Sequence, residues 1–173
     1  MYGENPHETL DPETSSAIVV AHVRDGVTIG QKAKLPTDVL SLIAQHHGTT
    51  LTAAFYNKAA AMCEEGQRPS ETSFRYPGPR PTTKESAILM ICDSCEAAVR
   101  SLKSPTPEDV SDMIEKVVKS KIDQYQFGSC PLSFSDINAI IASMKTTFKG
   151  IMHERVEYPD IDKLREELHK DGN

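Results

Sequence analysis

What most constrains this chain is the helical spacing of its apolar residues, repeated in one segment after another. Val110, Met113, Ile114, Val117, Val118 and Ile122 recur at steps of three and four. Ile137, Ile140, Ile141, Met144 and Phe148 do the same. Such spacing puts one apolar stripe along a helix. The most hydrophobic segment, Lys84 to about Leu102, carries Ile88, Leu89, Met90, Ile91 and Cys92, then Ala97, Ala98 and Val99. No segment alternates apolar and polar residues as a half-buried strand would. The 173 residues are 38% hydrophobic and only 6% aromatic, enough for one helical core. The expectation is an all-α domain of about seven helices.

Punctuation residues divide the chain. Residues 1–10 are a polar lead-in, 11–159 the domain, and 160–173 a charged C-terminal helix or tail. Asp11-Pro12 reads as a cap followed by proline at the first helical position. Asp25-Gly26 is expected to close that helix, with a short second helix from Val27 to Lys34 broken by Leu35-Pro36. Another helix buries Val39, Leu40, Leu42 and Ile43 and ends at His46-His47-Gly48; the next spans about Thr50 to Glu64. Residues 65–83 hold Gly66, Pro69, Pro77-Gly78-Pro79 and Pro81 and are expected to be irregular. Thr82 and Glu85 have capping-box spacing ahead of the Lys84 helix. Thr106-Pro107 and Ser133-Phe134-Ser135-Asp136 open the last two long helices, the second running from Asp136 to about Glu154.

Charge and composition narrow the function. A net charge of −6 argues against binding of nucleic-acid polymers, but a local basic patch still suits a small anion. The apolar run Ala87 to Cys92 is far shorter than the roughly 20 residues of a bilayer span. Met1-Tyr2-Gly3-Glu4 lacks the basic start and apolar region of a signal peptide, so a cytoplasmic location is expected. Cys92 and Cys95, without a second pair at zinc-ribbon spacing, read as small core residues.

Chemistry is concentrated in a few residues. His46 and His47 end an apolar helix at Gly48, where the chain leaves helical geometry and both rings can turn toward one point. His22 lies on or beside the apolar face of the first helix, and Asp93 sits in the middle of the most hydrophobic one. A buried aspartate there needs a partner or a metal; the plainer reading is a solvated stripe of Asp93, Glu96 and Arg100. Three imidazoles and a carboxylate suit iron, manganese or zinc better than magnesium or calcium. Arg68, Arg75, Arg80 and Lys84 stand against one acid, Glu71, around the aromatic pair of Phe74-Arg75-Tyr76. That loop reads either as solvated and proline-stiffened, or as a phosphate holder with an aromatic surface for a base.

The stretches Ala21 to Val27, Gln45 to Leu51, Phe74 to Pro81 and Asp93 to Leu102, with His153 to Pro159 near the end, closely resemble the cytoplasmic HD domain of bacterial seven-transmembrane HD proteins of the PgpH type. The resemblance runs in order from about residue 5 to 159. It implies an HD-type helical bundle and a phosphodiesterase that opens cyclic-di-AMP to linear pApA. It also implies a centre of two metal ions, iron or manganese, at the cytoplasmic face of the membrane. His22, His46, His47 and Asp93 fall on the family's ligand positions. Arg75, Arg80, Lys84 and Arg100 are candidates for contact with phosphate or with the ligands.

The resemblance also implies a further histidine and a His-Asp pair upstream, and no His-Asp dipeptide occurs in the chain. The expectation is therefore the C-terminal part of the domain, its N-terminal helices and membrane region missing and its metal site partial. An inactive module that binds a nucleotide or a partner is the alternative, as is an HD-type nucleotide phosphohydrolase. Apolar faces left uncovered make a homodimer possible.

Overall fold

The computed structural model describes residues 6–153. They form six α-helices: α1 (Pro12–Lys32), α2 (Thr37–Gln45), α3 (Ala53–Ala60), α4 (Lys84–Arg100), α5 (Pro107–Asp123) and α6 (Phe134–His153). Among the described residues the only strand-like pairing is one antiparallel bridge, Leu51 to Arg75. The expected charged helix at 160–173 lies outside the described residues.

The starts of α1, α4 and α5 are capped locally. Asp11 accepts a hydrogen bond from the Thr14 amide at 2.9 Å, and Pro12 needs no donor partner at the first position. Thr106 and Asp109 close a reciprocal box at the head of α5. At α4 the box is one residue later than its sequence spacing suggests, pairing Thr83 with Ser86. Thr82 is taken up elsewhere: its amide donates to Gln45 Oε1 at 2.9 Å.

The expected break at Asp25-Gly26 is absent, because α1 runs unbroken through both residues. Glycine serves there as a packing surface. A Cβ at Gly26 would lie 3.1 Å from Ile43 Cγ2, and one at Gly30 would lie 2.7 Å from Leu40 Cδ2. The i, i+4 pair lets α2 lie close against α1, which offsets the roughly 1 kcal/mol that glycine costs inside a helix. The helix expected over Thr50 to Glu64 is shorter at both ends. Residues 50–52 are pulled into extended pairing instead: Thr52 N donates to Phe74 O at 2.7 Å and Tyr76 N to Thr50 O at 3.0 Å.

Packing follows the chain. α1 lies against α2 and α3, α2 against α4, α4 against α5, and α5 against α6. The apolar core sits in the second half, where Ile91, Cys95, Val110, Ile114, Val118 and Ile137 form one buried cluster. Phe74 and Tyr76 bury the proline-rich loop against the first half, and Ser16 on α1 bonds Thr52 Oγ1 at 2.8 Å. No helix among the described residues is long and apolar enough to cross a membrane.

Candidate metal centre

Three histidines meet where α1, the end of α2 and the following turn converge. The metal-ligating atoms of His22, His46 and His47 all lie within 4.8 Å of one another. Local backbone geometry places them. His46 is the C-cap of α2, with its amide on Leu42 O, and His47 follows it into a turn that Gly48 completes at φ +53°. A side chain at that φ is strained. A Cβ there would also lie 2.4 Å from Gln126 Oε1. The turn is held from outside by Gln126, wholly buried, whose Oε1 accepts from the Thr49 amide at 2.9 Å.

The hydrogen bonds assign the tautomers. His22 Nδ1 faces Val19 O, and His46 Nδ1 faces Ile43 O at 2.7 Å. A carbonyl only accepts, so both Nδ1 atoms carry a proton, and in the neutral rings both Nε2 atoms present lone pairs. Those two Nε2 atoms face each other at 3.2 Å. Two lone pairs at that distance repel unless a proton or a metal ion lies between them. Two nitrogens bound at about 2.0–2.1 Å to one ion stand about 3.0–3.4 Å apart, which the observed pair matches. Tying the other ring nitrogen to a carbonyl is also how metal-binding histidines are usually oriented. The residues thus fit a divalent transition metal.

His47 completes the cluster. Its ring centroid lies 4.1 Å from that of His46 and 4.9 Å from that of His22. Burial, with the charges of His46, His22 and Lys121 added, pushes its pKa down to about 3, so at neutral pH the ring is the uncharged, ligating form. Tyr76 stacks on it, 4.2 Å between centroids and 22° between planes. Burial and the nearby Asp93 charge push the Tyr76 phenol up to about 12. Asp93, half-buried on α4, brings Oδ2 to 3.7 Å from His47 Nδ1.

The four expected cations have different fates. Arg80 is at the edge of the turn, its Nε donating to Thr49 Oγ1 at 3.0 Å, and no other bond from its guanidinium is made among the described residues. Arg75 braces the loop: it bonds Glu71, Thr49 O at 3.0 Å and Gln124 Oε1 at 3.4 Å. Lys84 pairs with Asp136 at 2.8 Å and Arg100 with Glu96 at 3.1 Å. At 1.5 Å rise per residue these two lie about 13 Å before and about 10 Å after Asp93 along α4, so they are not gathered at the cluster. The expected polar stripe of Glu96 and Arg100 is real, and Asp93 turns from it toward His47.

Three members of the site were not expected from the sequence in these roles. Gln45 and Gln126 are buried polar supports whose partners are distant in sequence. Lys121 is the third. Burial pushes its ammonium down to about 8, while Asp93 and then Cys95 act in the opposite direction. Its signal was present: it stands three residues after Val118 and seven after Ile114, on the apolar stripe of α5.

Comparison with known proteins places this geometry in context. The family profile described as HD domain matches residues 2–98. The cyclic-di-AMP phosphodiesterase PgpH of Bacillus subtilis (strain 168) is 40% identical over 160 residues, covering 92% of this chain and 22% of that protein. The protein of the same name from Listeria monocytogenes is 39% identical over the same share of each. The chain therefore spans about a fifth of the length of these relatives. A crystal structure of the L. monocytogenes PgpH HD domain in complex with cyclic-di-AMP superposes with a TM-score of 0.81 at 38% identity, over 87% of this chain and 69% of that one.

Proposed function

Because this chain belongs to the HD domain family, we propose that it is the C-terminal part of a metal-dependent phosphodiesterase domain that hydrolyses cyclic-di-AMP to linear pApA. The observation that carries the reading is the pair of Nε2 atoms, on His22 and His46, facing each other at 3.2 Å beside His47. His22, His46, His47 and Asp93 would hold the metal, and iron or manganese in a pair is the occupant we favour. Bound divalent ions supply Lewis acidity, activating water and offsetting charge on phosphoryl oxygens.

The protein's own groups prepare that chemistry. Val19 O and Ile43 O hold two imidazoles in the ligating tautomer before any ion arrives. Tyr76 covers one face of His47 and keeps water from it. Arg80 at the rim offers free guanidinium donors to a phosphate. Arg75 contributes by fixing the Phe74 to Tyr76 loop, and Lys84 and Arg100 add positive charge farther out on α4.

In this reading the four ligands are a partial set. The chain covers 69% of the solved domain that it matches, and in this reading a segment bearing a His-Asp pair would supply the rest. The whole protein would place this domain at the cytoplasmic face of a membrane. The exposed apolar residues Ile18 and Ile29 on α1 suit cover by that segment or by a second copy.

Binding tests the proposal directly. Calorimetry with Mn2+-loaded chain should show cyclic-di-AMP binding that disappears on chelation and in His47→Ala, with no pApA formed by the 173 residues alone. Equal affinity for AMP and cyclic-di-AMP, or binding indifferent to metal, would overturn it.

A further inference from the structure

We propose that Lys121 holds a phosphoryl oxygen of the substrate against the imidazole cluster, an inference that rests on the phosphodiesterase reading of that site. The core-facing stripe of α5 runs Val110, Ile114 and Val118, each at most 3% exposed. Lys121 stands at the next position of that stripe, where an aliphatic residue would ordinarily continue the core. Placing an ammonium there is costly unless an anion meets it. Yet Lys121 makes no ion pair or hydrogen bond through its ammonium among the described residues, whereas Lys84, Lys119 and Lys145 each pair with a carboxylate.

Its surroundings say where the anion would lie. Lys121 is half-buried, and its charge acts on His47, Cys95 and Asp93. The end of α5 is fastened to the turn that carries the histidines. The Lys121 carbonyl accepts from the Gln126 amide at 3.0 Å, Gln126 Oε1 takes the Thr49 amide, and Gln124 Oε1 takes the Leu51 amide at 3.4 Å. The ammonium therefore approaches the cluster from α5. A phosphodiester held at the metal ligands would meet this ammonium from the α5 side. Lysine suits this role, because it acts as a point charge on a flexible stem and needs no planar fork.

Inorganic phosphate is the first probe, followed by 31P line broadening on Mn2+-loaded chain, with cyclic-di-AMP measured in parallel by calorimetry. Lys121→Met should weaken phosphate by about tenfold or more, since a charged hydrogen bond is lost. Lys121→Arg should recover phosphate to within about threefold, because charge rather than shape is read. Mn2+ binding should be retained in both variants, and neither should melt below the wild type. Unchanged phosphate binding in Lys121→Met would overturn the proposal. So would loss of Mn2+ together with phosphate, which marks a structural role, and so would a wild-type chain that binds no phosphate at all. Phosphate binding that depends on Lys121, without any cyclic-di-AMP binding, would keep the role of Lys121 and reject the dinucleotide as substrate.

Discussion

Gly48 is the residue on which the metal centre turns. At φ +53°, with Gln126 Oε1 and Met90 Cε less than 3 Å from any added Cβ, it admits no side chain. Gly48→Ala should cost about 2 kcal/mol or more, combining left-handed strain with displacement of a buried amide. Urea unfolding would measure that loss. His47 gives a pH signature. Its folded pKa lies below the unfolded value of 6.5, near 3, so between those limits only the unfolded chain takes up the proton. Stability of the metal-free chain should therefore be full above about pH 6.5 and fall toward pH 3, by up to about 1.4 kcal/mol per pH unit. His47→Gln should flatten this slope in urea titrations run at several pH values. Tyr76 presses on the same ring. Tyr76→Ala should weaken metal binding about tenfold, as loss of a residue that orients a ligand does. Tyr76→Phe keeps the stacked ring and should retain affinity; calorimetric metal titration separates the two.

At the scale of elements, helical periodicity was the most legible property of the chain, because α4, α5 and α6 carry it in uninterrupted apolar stripes. Ile114 lies at the centre of that packing with no exposure. Ile114→Ala should destabilise by about 2–5 kcal/mol, read from the urea midpoint at constant slope. The misreadings have one origin: a local signal yielded to a distant partner. Gly26 looked like a helix stop, and Ile43 of α2 makes it a contact surface. Thr82 looked like a cap, and Gln45 takes its amide. Thr50 to Thr52 looked helical, and Phe74 to Tyr76 draw them into extended pairing. His22, His46, His47 and Asp93 stood out because their side-chain types are rare on apolar helices; the structure gathers the three imidazoles and brings Asp93 to 3.7 Å from His47. Lys84 and Arg100 could not be placed, since a cation's partner across helices, Asp136 for Lys84, is invisible in sequence spacing.

At the scale of the molecule, two helical halves share one seam. The α4–α6 part holds the apolar cluster, and α1 to α3 bring histidines and a proline-rich loop against it and leave Ile18 and Ile29 exposed. The seam is where α2 meets α4, and the imidazole cluster and Asp93 lie along it. An ion bound there ties the halves together, so metal should raise the melting temperature of the wild-type chain by mass action and leave His47→Ala unchanged. The most direct test is an electron paramagnetic resonance titration of the chelator-stripped 173-residue chain with Mn2+, with circular dichroism to verify helicity. Saturable binding in the wild type that is lost in both His22→Ala and His47→Ala, with helicity intact, is the predicted result. Wild-type binding no tighter than that of the two variants would contradict a metal centre built on these histidines.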